Sequence, residues 1–71
     1  MNQYRKNFCR NLNTLIERHD LKHFELAEKL EIGDSALGSY VQYRNVAPYE
    51  TIVKISELFN VSIDDLIKTK L

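Results

Sequence analysis

Two histidines and one cysteine are the first side chains of this sequence to consider for chemistry. His19 and His23 are four residues apart, a spacing that on one continuous helix would let both rings share a metal ion. The intervening residues 20–22 break the apolar periodicity, so we expect a turn there and two separate surface histidines. Cys9 is the only cysteine, and nothing places a histidine base and an orienting carboxylate beside it. The sequence therefore predicts no catalytic residue, no metal and no cofactor.

Length and composition limit what kind of protein this chain forms. Seventy-one residues, 44% of them apolar and 28% charged, suit a single globular domain, which we assign to residues 1–71. No apolar run approaches the roughly 20 residues that a membrane span requires, and the N-terminus lacks the apolar stretch of a signal peptide. A lone cysteine suits a reducing compartment. We expect a cytoplasmic protein with no membrane contact and no small-molecule substrate.

Charge is distributed unevenly along the chain. The ten basic and ten acidic residues cancel, whereas a domain that binds phosphates usually carries a net positive charge. The segment from 21 to 43 carries four acidic residues against two basic ones. The middle of the sequence is therefore acidic.

The spacing of apolar residues predicts five short helices and no sheet. The first helix runs from about residue 3 to residue 19, with Phe8, Leu12, Leu15 and Ile16 on one apolar stripe. The polar residues between these positions are expected to face water. A second helix ends near Glu31, and a third follows the helix-starting residues Asp34 and Ser35. Connections of only a few residues leave one shared core, so the predicted fold class is all-α.

The last third of the chain contains start and stop signals for two further helices. Pro48 can begin a fourth helix because the first turn needs no N–H group from that residue. Asn60 tolerates left-handed backbone and is predicted to end this helix. Ser62 with Asp65 resembles a capping box that opens the fifth helix. The apolar spacing of the fourth helix predicts a buried face of Ile52, Ile55, Leu58 and Phe59.

The third helix has two distinct faces. Leu37, Tyr40 and Val41 recur at helical spacing and are predicted to point inward. A loop is predicted from residue 43 to residue 47. The outer side of the helix then carries Asp34, Ser35, Gly38, Ser39 and Gln42.

Two stretches of the sequence resemble a known family. The run 21–32, continued by Ser35, Leu37 and Tyr40, is similar to the helix-turn-helix of the lambda-repressor, Cro and xenobiotic-response-element family. The run 49–66 is similar to the last two helices of that family, and the alignment needs no gap. The resemblance implies a five-helix lambda-repressor-like DNA-binding domain, with the helix-turn-helix at about residues 22–42.

The same resemblance implies a set of contact residues. In the family, the second helix of the motif lies in the major groove, its first side chains reach base edges, and flanking residues hold phosphates. Gln42 and Arg44 correspond by position to phosphate contacts. The residues that correspond to the base-facing part are Asp34, Ser35, Gly38 and Ser39. The predicted DNA-binding or partner-binding residues are Lys22, His23, Asp34, Ser35, Gly38, Ser39, Gln42, Tyr43 and Arg44.

The sequence departs from the family pattern within this set. His23 stands where the family usually has the glutamine that opens the first motif helix. Glu31 stands where the family has the glycine of the turn. The family's loop Glu-Asn-Gly-Lys is replaced by residues 41–44, where Tyr43 stands in place of the glycine. The base-facing positions lack the long or forked donors that pair with guanine or adenine edges.

Two functions fit these residues. The first is a transcriptional regulator that binds operator DNA in a phage or bacterial genetic switch, acting as a homodimer on paired half-sites. The alternative is an antirepressor-type module, with a precedent in temperate phages, whose acidic motif surface binds a partner repressor and modulates its DNA binding. Tyr40, Val41 and Tyr43 would supply its apolar centre, unless Tyr40 and Val41 belong to the core.

Overall fold

Five α-helices make up the protein in the computed structural model, which describes residues 1–71. The predicted all-α fold is confirmed, and the helices agree with the predicted ones to within a few residues. None of them is both long and apolar enough to cross a bilayer. The helices are α1 (Gln3–Arg18), α2 (His23–Leu30), α3 (Asp34–Val41), α4 (Tyr49–Phe59) and α5 (Ile63–Lys68).

Every helix contributes to one hydrophobic core. The predicted apolar stripe of α1 is buried along its length, and the inward side of each shorter helix meets it in a single cluster. Fully burying one leucine or phenylalanine side chain contributes about 1.5–3 kcal/mol, so a core of this kind is what holds the five short helices together. The largest fully buried side chains are Phe8, Leu12, Leu15, Leu26, Leu30, Leu37, Ile55 and Leu66.

Two asparagines of α1 are buried. The prediction that the polar residues between its apolar positions face water is wrong for Asn11, whereas Asn7 lies before the first of those positions. Asn7 is 7% exposed and Asn11 is fully buried. Asn7 Nδ2 donates to the Ile67 carbonyl at 2.9 Å, and Asn11 Nδ2 donates to the Leu66 carbonyl at 2.8 Å. The last carbonyls of a helix have no partner within it. These two amides therefore complete the hydrogen bonding at the end of α5.

The fourth helix differs from its prediction at two positions. It begins at Tyr49, one residue after Pro48, whose carbonyl accepts a hydrogen bond from the Thr51 N–H at 3.0 Å. Leu58 is 41% exposed, so its predicted burial is wrong. The buried line of α4 runs through Thr51 and Ile55, and Leu58 lies on the flank of that line, close to the end of the helix.

The first four helices all end in the same kind of turn, the Schellman motif. In each case one residue adopts left-handed backbone, its N–H donates to the carbonyl three residues earlier, and the next N–H donates to the carbonyl five residues earlier. Neither glycine of the chain occupies such a position. The prediction for Asn60 is confirmed. The left-handed residues are Asp20 (φ 51°), Glu31 (φ 58°), Tyr43 (φ 61°) and Asn60 (φ 55°).

Relief of backbone strain at Glu31 should stabilise the protein. A residue with a side chain in left-handed backbone is strained by about 1–2 kcal/mol. Glycine avoids this strain but loses more backbone entropy on folding. Glu31→Gly should therefore raise the free energy of unfolding by a net amount of about 0.5–1 kcal/mol. The Glu31 carboxylate lies 3.5 Å from Lys54 Nζ, but the Glu31 side chain is largely exposed and that of Lys54 only partly buried, and such pairs contribute little. Urea unfolding measures the change. Glu31→Gln, which removes the ion pair and keeps the strain, should show no gain, and equal stability of Glu31→Gly and wild type would contradict the prediction.

Candidate nucleic-acid interface

The helices α2 and α3 form a helix-turn-helix. Residues 31–33 connect them, and their apolar sides pack together through Leu26, Leu30 and Leu37, all of which are buried. α3 also packs against α1. The inner side of α3 is therefore covered by two helices, and its opposite side faces solvent.

The outward face of α3 carries only short side chains. Asp34 and Ser35 are exposed, whereas Gly38 and Ser39 are half-buried. The Ser39 hydroxyl donates to the Ala36 carbonyl at 2.8 Å, so its oxygen remains able to accept a hydrogen bond while its proton is engaged. The face thus presents one carboxylate, two hydroxyl groups and a stretch of bare backbone.

Gly38 lies inside α3, although the chain's own packing does not require a glycine there. A Cβ atom added to Gly38 would meet no atom within 4 Å. Glycine within a helix costs about 1 kcal/mol relative to alanine. The missing side chain leaves the backbone at the middle of this face open to close approach by a macromolecule.

Three predicted site residues follow directly after α3. Gln42, Tyr43 and Arg44 are all exposed. The Arg44 N–H donates to the Ser39 carbonyl at 2.9 Å, which fixes the backbone of this turn against the helix. Neither of the two ion pairs in the structure involves Arg44. Its guanidinium is therefore available to an external anion.

Side chains of α1 hold this loop in place. Asn13 Nδ2 donates to the Val41 carbonyl at 3.0 Å, and Cys9 Sγ donates to the Asn45 carbonyl at 3.6 Å. Burial raises the pKa of the Cys9 thiol, because the thiolate is disfavoured away from water, so the thiol keeps the proton that it donates. Cys9 therefore has a structural role that its position in the sequence did not reveal.

The two aromatic residues near the end of α3 have different environments. Tyr40 is 6% exposed, and its ring packs edge-on against Phe8 with a centroid distance of 6.4 Å. Tyr43 is 45% exposed. Tyr40 thus belongs to the core, and of the aromatic residues on α3 and in the turn after it, only Tyr43 remains as a surface contact.

Lys22 and His23 lie at the start of α2, and both are exposed. The Lys22 side chain does not cap the helix, so the N–H groups of the first turn have no side-chain acceptor. Free N–H groups and the positive end of the helix dipole favour phosphate at such a position. The start of α2 therefore suits a backbone phosphate next to a DNA groove.

Two of the four acidic residues of the motif have local structural explanations. Asp34 lies in the first turn of α3, where a carboxylate interacts favourably with the helix dipole. The Glu31 carboxylate pairs with Lys54 of α4. Acidity in this segment therefore does not by itself indicate a basic protein partner.

The two histidines lie on separate elements. His19 follows the end of α1, where its ring packs against Phe59 with a centroid distance of 5.1 Å, whereas His23 begins α2. The turn predicted between them is confirmed. No group of three or more histidine, cysteine, aspartate or glutamate residues is placed to hold a metal ion.

One exposed residue beside the site was absent from the predicted set. Asn45 is exposed, its N–H donates to the Ser39 carbonyl at 3.3 Å, and it lines a shallow surface depression with Ser35 and Val46. Its position next to Arg44 was the only signal in the sequence that could have indicated this place.

Comparisons with known proteins agree with this architecture. Residues 11–70 match the family of the bacteriophage CI repressor helix-turn-helix domain. The chain is also 33% identical over 57 residues to the uncharacterized HTH-type transcriptional regulator YobD of Bacillus subtilis (strain 168), a match that covers 80% of this chain and 51% of the relative. The chain thus spans about half the length of that relative, and no solved structure matches it significantly. On the family match, this chain belongs to the bacteriophage CI repressor helix-turn-helix family.

Proposed function

We propose that this chain is a transcription regulator that binds operator DNA directly, with α3 in the major groove. The observation that carries the proposal is the outward face formed by α3 and residues 42–44, which has open space at Gly38 and ends in the unpaired cation Arg44. Membership of a repressor helix-turn-helix family supports direct DNA binding over the antirepressor alternative. We expect no catalytic activity.

The predicted site residues divide into two groups in this proposal. Lys22 and His23 stand at the start of α2, Gln42 and Arg44 follow the end of α3, and all four are exposed. In this proposal they contact phosphates and set the orientation of α3. The second group consists of the four predicted residues on α3 itself, which face the bases. Their short side chains give modest discrimination between base pairs. They are Asp34, Ser35, Gly38 and Ser39.

One such domain offers a small contact area, so two copies are expected on DNA. We propose that the chain acts as a single domain and that a homodimer binds paired half-sites about 34 Å apart, one helical turn of DNA. Sedimentation with and without DNA measures the stoichiometry.

The direct test is selection of duplexes from a random-sequence library with the purified chain. Fluorescence anisotropy then measures affinity for the enriched duplex over a range of salt concentrations. The proposal predicts that one sequence is enriched and that affinity falls steeply with salt, because bound phosphates release counterions. Recovery of no preferred sequence, or binding that salt does not weaken, would contradict it.

Arg44 provides a sharper prediction within this experiment. Removing one phosphate contact should weaken binding several-fold and make the negative slope of log affinity against log salt about one unit less steep, while sequence preference stays the same. Arg44→Ala is the variant, and anisotropy with the enriched duplex is the measurement. Lys70→Ala is the control, because Lys70 is an exposed cation that follows α5, which packs on α1 and α4. An unchanged salt slope for Arg44→Ala would remove Arg44 from the interface.

A further inference from the structure

The turn that ends α3 differs from the three related turns of this chain. At the ends of α1, α2 and α4, the residue after the left-handed one is apolar and packs against the core, as is common in a Schellman motif. Those three residues are Leu21, Ile32 and Val61. At the end of α3 this place is taken by Arg44, which is exposed. The turn at the end of α3 therefore directs two successive large side chains toward solvent.

Tyr43 is the left-handed residue of this turn, and the folded protein offers its side chain little stabilising contact to offset the backbone strain. Left-handed backbone suits glycine, asparagine and aspartate, and it is unfavourable for a bulky residue. Tyr43 is nevertheless at φ 61° and 45% exposed. Its ring takes part in neither of the two aromatic contacts of the structure. Strained residues cluster at functional sites, but strain alone does not mark one, since Glu31 shares this backbone. Tyr43 differs from Glu31, whose side chain pairs with Lys54, in that its exposed ring has no aromatic partner in the fold.

We propose that Tyr43 contacts DNA, with its phenol hydroxyl donating to the phosphodiester backbone beside the groove that α3 occupies. The inference rests on the proposed function, since it requires α3 to lie in that groove. Tyr43 stands between Gln42 and Arg44, which are exposed and carry N–H donors. Three adjacent donors match the anionic oxygens of a DNA backbone better than the mixed surface of a protein.

The turn needs little rearrangement to hold the phenol in place. Its backbone is tied to α3 by the hydrogen bond from the Arg44 N–H to the Ser39 carbonyl at 2.9 Å. It is tied to α1 by the hydrogen bond from Asn13 to the Val41 carbonyl at 3.0 Å. A contact made from a fixed backbone loses less entropy on binding than one made from a mobile loop.

Tyr43→Phe is the central variant, because it keeps the ring and the turn and removes only the hydroxyl donor. Loss of a hydrogen bond to a charged acceptor should weaken affinity for the enriched duplex about tenfold. The salt slope should stay the same, because tyrosine is uncharged, in contrast to the expected result for Arg44→Ala. The urea midpoint of the free protein should also be unchanged.

Tyr43→Gly separates function from folding by moving affinity and stability in opposite directions. It relieves the strain, so the urea midpoint should rise, while affinity should fall at least as far as for Tyr43→Phe. Asn60→Gly is the matched control, since Asn60 occupies the same turn position at the end of α4 and should leave affinity unchanged.

The outcomes distinguish the two proposals. If the wild type binds the enriched duplex and Tyr43→Phe binds it equally well, this inference fails while the proposed function stands. That result would also be expected if Tyr43 served a protein partner instead of DNA. If the wild type enriches no duplex at all, both proposals fail. Weaker binding by Tyr43→Phe at an unchanged salt slope and stability supports the inference.

Discussion

Gly38→Glu is expected to abolish specific DNA binding and to leave the protein folded. The substitution places a carboxylate at the middle of the outward face of α3, against the phosphates and base edges that the wild type would approach. Like charges brought together at an interface cost several kcal/mol, so affinity for the enriched duplex should fall roughly a hundredfold or more. Anisotropy at constant salt measures this loss.

The same substitution should not harm the free protein. A Cβ atom at position 38 meets no neighbouring atom, and glutamate forms helix better than glycine by about 0.5–1 kcal/mol. The urea midpoint of Gly38→Glu should therefore equal or exceed that of the wild type. Gly38→Gln is the matched control, since it adds similar bulk without the charge and should bind more tightly than Gly38→Glu. Wild-type affinity in Gly38→Glu would exclude this face as the DNA contact.

Asn11→Leu is expected to cause a large loss of stability. Asn11 is fully buried, and its amide donates to the carbonyls of Leu66 at 2.8 Å and Thr69 at 2.7 Å. Its Oδ1 accepts from the Leu71 N–H at 3.0 Å. Leucine occupies a similar volume but leaves the buried Leu66 carbonyl without its partner, which costs about 1–3 kcal/mol. It also loses the part-buried hydrogen bonds to Thr69 and Leu71, each of which contributes about 0.5–1.5 kcal/mol.

The total for Asn11→Leu should reach roughly 3 kcal/mol or more, a large part of the stability of a small domain. Because α5 loses its polar attachment to α1, we expect its amide hydrogens to exchange faster than those of the other helices. Asn13→Ala is the control: it removes an amide from the same helix that is only partly buried, and it should lose about 1 kcal/mol. A urea midpoint for Asn11→Leu equal to that of the wild type would contradict this role.

The sequence pattern was sufficient to predict most of the helical framework. Apolar residues at helical spacing identified five helices, because burial of one apolar stripe per helix is the main force that assembles them. The stop at Asn60 and the start at Ser62 were also predictable, since both depend on short-range chemistry. The Ser62 hydroxyl accepts from the Asp65 N–H at 2.9 Å, as the capping pattern indicates.

The contacts between distant parts of the chain could not be predicted in this way. Asn11 bonds to residues 55 and 58 positions later, and periodicity carries no information about which carbonyls of α5 lack partners. Leu58 matched the apolar pattern of α4 but stays exposed, because the pattern does not show which helices cover its flank.

The candidate site was partly predictable. The outward face of α3 and the exposure of Tyr43 follow from helical periodicity and from the predicted loop. The left-handed backbone at Glu31 and Tyr43 falls at the two positions where the family commonly has glycine, so the turns are retained although the glycines are not. Contact of these residues with DNA remains a proposal, because exposure alone does not identify what a surface binds.

Amide proton–nitrogen correlation spectra recorded during titration with the enriched duplex test the central claim most directly. The signals that shift should belong to the start of α2, to α3 and to residues 42–45, while those of α5 stay in place. Shifts confined to other surfaces, or spectra that the duplex leaves unchanged, would contradict direct binding of DNA through α3 and the turn that follows it.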